Sequence, residues 1–339
     1  GTLSPALNYQ PGNPAFRRVW DDIIAAAEEF NEPGTFTTFI AYEWTSLVAG
    51  RNLHRNGIFR DGPQEAGQVV PYTTTPPAGS RNPRDLWAWM DAYESKTGGD
   101  VTAIPHNGNL SNGWMFSNID DFAEGAALDA GYAEARQKWE RLYEWSQYKG
   151  DGEAHPLLSP EDEFAGFENW DYGNLDASER KTPAMLPGEY ARSGLLRGLE
   201  MEAELGVNPF KFGASAATDT HTGLTTVQED NFFGKFAAYE PGPERARHVG
   251  RKFADGSAAY KSWIYSAAGL TAVWATENSR DAIFDAMERR EAYGTTGPRM
   301  VVRFFGGDYD AEAIGRRDLA RIGYQGGVPM GGDLAAPAS

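Results

Sequence analysis

Apolar residues recur at helical spacing near the start of the chain. In NPAFRRVWDDIIAAAEEFN, Phe16, Val19, Trp20, Ile23 and Ile24 fall on one side, Asn13 is placed to cap the helix, and Pro14 suits its first turn. After Pro33 and Gly34 the pattern changes to TFTTFIAYEW, a β-branched and aromatic run that predicts a buried strand, and NLHRNGIFRD predicts a shorter extended piece. The Pro/Thr-rich QVVPYTTTPPAGSRNP predicts loop, PRDLWAWMDAYESK over 83–96 a helix, and DVTAIPHN a short strand. The alternation continues with a helix over 129–142, the strand ERLYEWSQYK, a long loop over 150–183, a helix over 187–205 and the strand FKFGASAATD. LTAVWA, a helix over 279–290 and the strand MVVRFFG follow.

Strands that alternate with helices and look buried along their length predict an α/β fold with a mostly parallel sheet or barrel. No internal repeat or low-complexity linker divides the chain, so one domain is expected over 1–325, with the Gly/Pro/Ala-rich 326–339 as a loose tail. A length of 339 residues suffices for one large α/β barrel.

Charge and composition narrow the partners. Lys plus Arg total 31 against 48 Asp plus Glu, a net charge of −17 that disfavours nucleic acid and anionic membranes and favours cations. No apolar run approaches the roughly 18 residues of a membrane-spanning helix. The absence of cysteine excludes disulfides, thiolate catalysis and Cys-based zinc fingers, and leaves cytoplasm and periplasm equally open. There is no G-x-S-x-G elbow, P-loop, H-E-x-x-H or strand-following G-x-G-x-x-G.

Candidate chemistry collects where apolar runs close, because barrels of parallel strands place catalytic residues at strand carboxyl ends. Glu43 closes FTTFIAYE, His106 closes VTAIPH, Asp219 and His221 close FKFGASAATDTH, and His54 lies in NLHRN just beyond the first of these strands. Imidazole and carboxylate are ligands for zinc, manganese or iron. A lone strand-end histidine is more often structural; four such sites in one chain point to a divalent metal. Asn107 and Asn109 after His106, His155 in the long loop, and Arg299 beside a Gly-Thr-Thr-Gly turn are candidate substrate-binding residues. Their bland alternatives are an Asn/Gly loop, a structural histidine and a salt bridge. His248 has no acid-rich strand end near it and reads as a surface residue.

The blocks IAYEWTS, NLHRNGIFRD, IPHNGNLSNG, KGDGEAHPLLSPEDEFA, FKFGASAATDTHTGL and AIFDAMERREAYGTTGPR resemble the signature blocks of the DUF3604 proteins from about residue 36 to 300. This is a bacterial family related to the PHP (polymerase and histidinol phosphatase) superfamily. The resemblance implies a distorted TIM-like β/α barrel, one to three divalent ions and hydrolysis of a small phosphate ester. It also implies that Glu43 bridges two metals, that His54 and His106 complete one of them, and that Asp219 and His221 serve the others. In that scheme Glu43 and Asp219 are the catalytic residues, a metal-activated water attacks, and Asp219 receives its proton, while Asn107, Asn109 and Arg299 orient the substrate. Amide, lactone and sulfate esters stay open as substrates.

One departure stands out. The superfamily opens with His-x-His, and this sequence has none; its first histidine is His54. The expectation is therefore an internal piece of a barrel lacking its first strands, with a second chain covering the gap or a rearrangement closing it. The alternative function is a metal- or ligand-binding fragment without turnover.

Overall fold

The computed structural model describes residues 10–236, 240–265 and 269–335. It is a mixed α/β structure of small sheets. The opening helix is Pro14–Glu29, and the Asn13 carboxamide accepts the Ala15 N–H at 2.8 Å. Of its five apolar positions only Trp20 and Ile24 are buried; Val19 and Ile23 remain exposed. Trp20 enters the core and donates its indole N–H to the Ala66 carbonyl at 3.1 Å.

The site rests on a three-stranded sheet. Ile40–Trp44 pairs antiparallel with Arg55–Phe59, which pairs antiparallel with Val101–Pro105. A parallel pairing of the first two strands would need a crossover of about a dozen residues or more. Residues 45–54 are too few, and they fold into a small hairpin of Leu47–Val48 and Arg51–Asn52. The mostly parallel sheet expected from the alternation is thus interrupted at its first connection. Side chains alternate across these strands. Ile40, Phe59 and Val101 stand opposite one another on the core face, while Glu43, Asn56 and Ile104 stand opposite one another on the other. The core face packs on Trp20, Leu86, Trp87, Met90 and Tyr93.

Helix Pro83–Thr97 covers that core. Asn82 caps it by accepting the Arg84 N–H at 3.0 Å, and Gly98 ends it in the left-handed region at φ 73°. Asn82→Ala is expected to cost about 0.5–2 kcal/mol, read as a lower urea midpoint; an unchanged midpoint would mean that the cap does not hold this helix.

Helix Ala130–Trp139 precedes strand Leu142–Gln147, which pairs parallel with Gly213–Ala216 after helix Ala191–Leu205. Leu270–Val273 and Ala292–Thr295 form an antiparallel pair around helix Arg280–Glu288. Thr271 Oγ1 ties this pair to the previous sheet: it accepts the Ala216 N–H at 2.9 Å and donates to the Ala216 carbonyl at 2.7 Å. The strand expected in MVVRFFG is confined to Phe305–Gly307, which pairs with Gly327–Pro329. Residues 300–303 join no strand; the Tyr293 hydroxyl takes backbone groups of Met300 and Val302, and the Trp274 indole takes the Val302 carbonyl. That pairing also anchors the first part of the expected tail. Among the described residues no helix is long and apolar enough to cross a membrane.

Candidate metal centre

Register brings the first three candidates together. Trp44 faces Arg55, and Arg55 faces Pro105, so the residues just past these pairs, His54 and His106, meet at the sheet end; the His106 N–H donates to the His54 carbonyl at 3.3 Å. Two-residue periodicity puts both on the face that carries Glu43. Glu43 Oε1 lies 2.9 Å from His54 Nδ1 and 2.9 Å from His106 Nε2. One ligand atom from each residue lies within 4.8 Å of the others, and the two rings stand edge to face at 5.5 Å.

Electrostatics suit a cation. Burial by itself would raise the Glu43 carboxyl, but its contacts with His106 and His54 hold it well below the usual carboxylate range. Burial pushes the His54 imidazole down, toward the neutral form that metals require. Burial also works to lower His106, but Glu43 and the nearby Glu144 outweigh it and raise it. His106 is 2% exposed. Its Nε2, though close to Glu43, is not aligned for a hydrogen bond and has no hydrogen-bond partner. Its Nδ1 lies 3.4 Å from the Asn56 carboxamide. A buried imidazole nitrogen 2.9 Å from a carboxylate oxygen but without an aligned hydrogen bond, with a second imidazole on the same oxygen, fits a divalent ion.

Asp219 and His221 follow strand Gly213–Ala216. The chain stays paired past its end, with the Ala217 N–H on Ser146 and the Tyr148 N–H on Thr218, so Lys149 and Asp219 come side by side. Asp219 adopts a left-handed backbone at φ 54°. Its Oδ2 receives the ammonium groups of Lys149 and, at 2.5 Å, Lys235, and its Oδ1 lies 3.1 Å from His221 Nε2. Burial would raise the carboxyl, but Lys149 and its other neighbours hold it well below the usual range. Glu43, His54, Lys149, His221 and Arg251 line one cleft of about 410 Å³, together with the aromatic rings of Trp170, Phe236, Tyr260 and Tyr265.

Across residues 3–339 the chain matches the model of a family described as a protein of unknown function, DUF3604. The chain belongs to the DUF3604 family. No curated protein and no solved structure matches it.

The remaining candidates in this DUF3604 chain lie elsewhere. Asn107 and Asn109 are buried and do not line the cleft. Asn107 Oδ1 accepts from Gln147 Nε2 at 2.8 Å, and Asn109 Nδ2 donates to the Lys149 carbonyl at 2.9 Å, so the pair holds the backbone that carries Lys149. His155 is buried against Tyr190, 3.3 Å from Asp171, and accepts the Leu157 N–H, as a structural histidine would. Arg299 is exposed and is not among the residues of the cleft. His248 is half-buried, its Nδ1 2.5 Å from Ser262 Oγ.

Four groups escaped the sequence reading: Lys149, Lys235, Arg251 and Glu144. A filter for histidines and acids at strand ends passes over lysines, and Glu144 lies inside a strand. The available signal was an acid within the otherwise apolar LYEW. Glu144 is buried, and its Oε1 has no hydrogen-bond partner. Burial raises its carboxyl from 4.5 to about 7. Between those values the folded chain keeps a proton that the unfolded chain has lost. Stability contributed by this group therefore falls as pH rises from about 4.5 to about 7. In chelator-treated protein, Glu144→Gln is expected to flatten the decline in melting temperature over that window. An equally steep decline in the variant would show that Glu144 ionises freely in the folded state.

Proposed function

We propose that this DUF3604 chain is a metal-dependent hydrolase of the PHP type, acting on a small phosphate ester, with its strands forming part of a distorted β/α barrel. The observation that carries the reading is the convergence of Glu43, His54 and His106, with a buried imidazole nitrogen left without a hydrogen-bond partner. These three residues would hold the ion. When bound, a divalent cation in such a site polarises the scissile group and lowers the pKa of an attacking water toward about 7.

The chain's own residues account for the rest. Glu43 supplies the negative charge between two imidazoles, and Asn56 steadies the His106 ring. Lys149 and Arg251 face the cleft as cations able to meet an anionic group, and Trp170, Tyr260 and Phe236 form a wall that limits water. The sequence suggests Asp219 as proton acceptor. With two ammonium groups upon it, its basicity is low, and it serves better as a clamp on Lys149.

The test is a panel of phosphate monoesters and diesters with chelator-treated protein, before and after adding Mn²⁺ or Zn²⁺. Turnover that appears only with metal supports the reading. Bound metal without turnover, across phosphate esters, lactones and sulfate esters alike, overturns the hydrolase and leaves a metal-binding protein. Absence of metal binding overturns both.

A further inference from the structure

Asp219 is fully engaged. Its Oδ2 accepts from Lys149 and Lys235, its Oδ1 contacts His221 Nε2, and its main-chain carbonyl also accepts from Lys235 Nζ. Lys235 is completely buried, so its ammonium has no water to turn to. A cation entering at Asp219 would have to displace Lys149 and, at Lys235, whose pKa burial lowers from 10.5 to about 7, either displace the ammonium or drive off its proton.

Lys149 differs from Lys235 in one respect: it also lines the cleft beside Glu43 and His54. Its main chain is fixed on both sides of the residue. The N–H donates to Gln147 Oε1 at 3.1 Å, and the carbonyl accepts from Asn109 Nδ2 at 2.9 Å. Asp219 is the hydrogen-bond partner of its ammonium among the described residues, which leaves N–H donors for a ligand.

We propose that the cleft binds one divalent ion, at Glu43, His54 and His106, and that Lys149 stands where a second ion would otherwise meet the anionic group of the substrate. Asp219 and His221 then act as the clamp that aims Lys149 and are not metal ligands. The inference rests on the metal-dependent reading above and narrows it, since multinuclear hydrolytic sites use their second ion to hold substrate oxygens. A lysine does that work as a fixed point charge.

The experiment titrates Mn²⁺ into the full chain by calorimetry, then inorganic phosphate into the metal-loaded protein. Wild type, Asp219→Asn and His221→Gln are each expected to bind one Mn²⁺, and Glu43→Gln none. Lys149→Met is expected to keep its one Mn²⁺ and lose phosphate affinity at least tenfold, with Lys149→Arg recovering part of it. Circular dichroism of each variant identifies any that has failed to fold; His221→Gln decides the stoichiometry if Asp219→Asn is one of these. Two ions in the wild type, with one lost in Asp219→Asn or His221→Gln, overturn this inference while leaving the metal-dependent reading intact. Phosphate affinity unchanged in Lys149→Met, or no phosphate binding by the loaded wild type, also overturns it. No Mn²⁺ bound at all removes the metal-dependent reading, and this inference with it.

Discussion

Glu43→Ala is expected to lower affinity for Mn²⁺ or Zn²⁺ by more than roughly 100-fold, since changes to groups that merely support metal ligands already cost about 10–100-fold. Glu43 provides the charge of the triad and touches both imidazoles through a single oxygen. Without it, two imidazole rings stand edge to face at 5.5 Å, and no carboxylate of the triad offsets the positive charge of an ion there. Titration calorimetry on the folded variant measures the effect. Affinity within a few-fold of wild type would mean that the ion, if any, sits elsewhere. The alanine variant should also keep its overall fold, because Glu43 points away from the packed face of its strand.

The second large effect lies behind the site. Glu140 is buried among Arg55, Arg136 and Trp87. Its Oε1 accepts from Arg55 Nε and Trp87 Nε1, both at 3.0 Å, and its Oε2 lies 3.0 Å from Arg136 Nε. All three charged side chains are nearly inaccessible. Glu140→Ala leaves two guanidinium groups in the interior without their counter-charge, and such a break costs about 3–5 kcal/mol. Urea denaturation should show the loss as a lower midpoint, and a change below about 1 kcal/mol would indicate that water reaches this network. The damage should extend to the metal centre. Arg55 also donates to the Leu53 carbonyl at 2.5 Å, gripping the chain on either side of His54. A folded fraction with weaker metal affinity is the accompanying expectation.

Much of the candidate site was legible along the chain. Glu43, His54 and His106 could be picked out because each stands at or just beyond the end of an apolar run, where side chains are free to face a mouth. Their grouping follows from two-residue alternation once the register is known. Asp219 and His221 were equally visible as residues, and the structure brings His221 to the same cleft with Asp219 in contact with it, yet their neighbours were not visible. Lys149 and Lys235 are 86 positions apart, and no local pattern marks a lysine as one that will be buried on an aspartate. Asn107 and Asn109 looked like substrate contacts because amides and glycines crowd that loop; burial instead turned them inward, to hold Gln147 and Lys149.

The elements show the same division. Capping residues, helix spacing and turn residues act over a few positions, so helices such as Pro14–Glu29 and Pro83–Thr97 and strands such as Ile40–Trp44 were determined locally. Strand direction and pairing were not. The antiparallel insertion of Arg55–Phe59, and the failure of residues 300–303 to join a sheet, depended on which edges were within reach. Sequence by itself decided which groups this protein can offer to a cation. Tertiary structure alone decided which of them an ammonium group already occupies, because that contest is settled by the cost of leaving a buried charge unpaired.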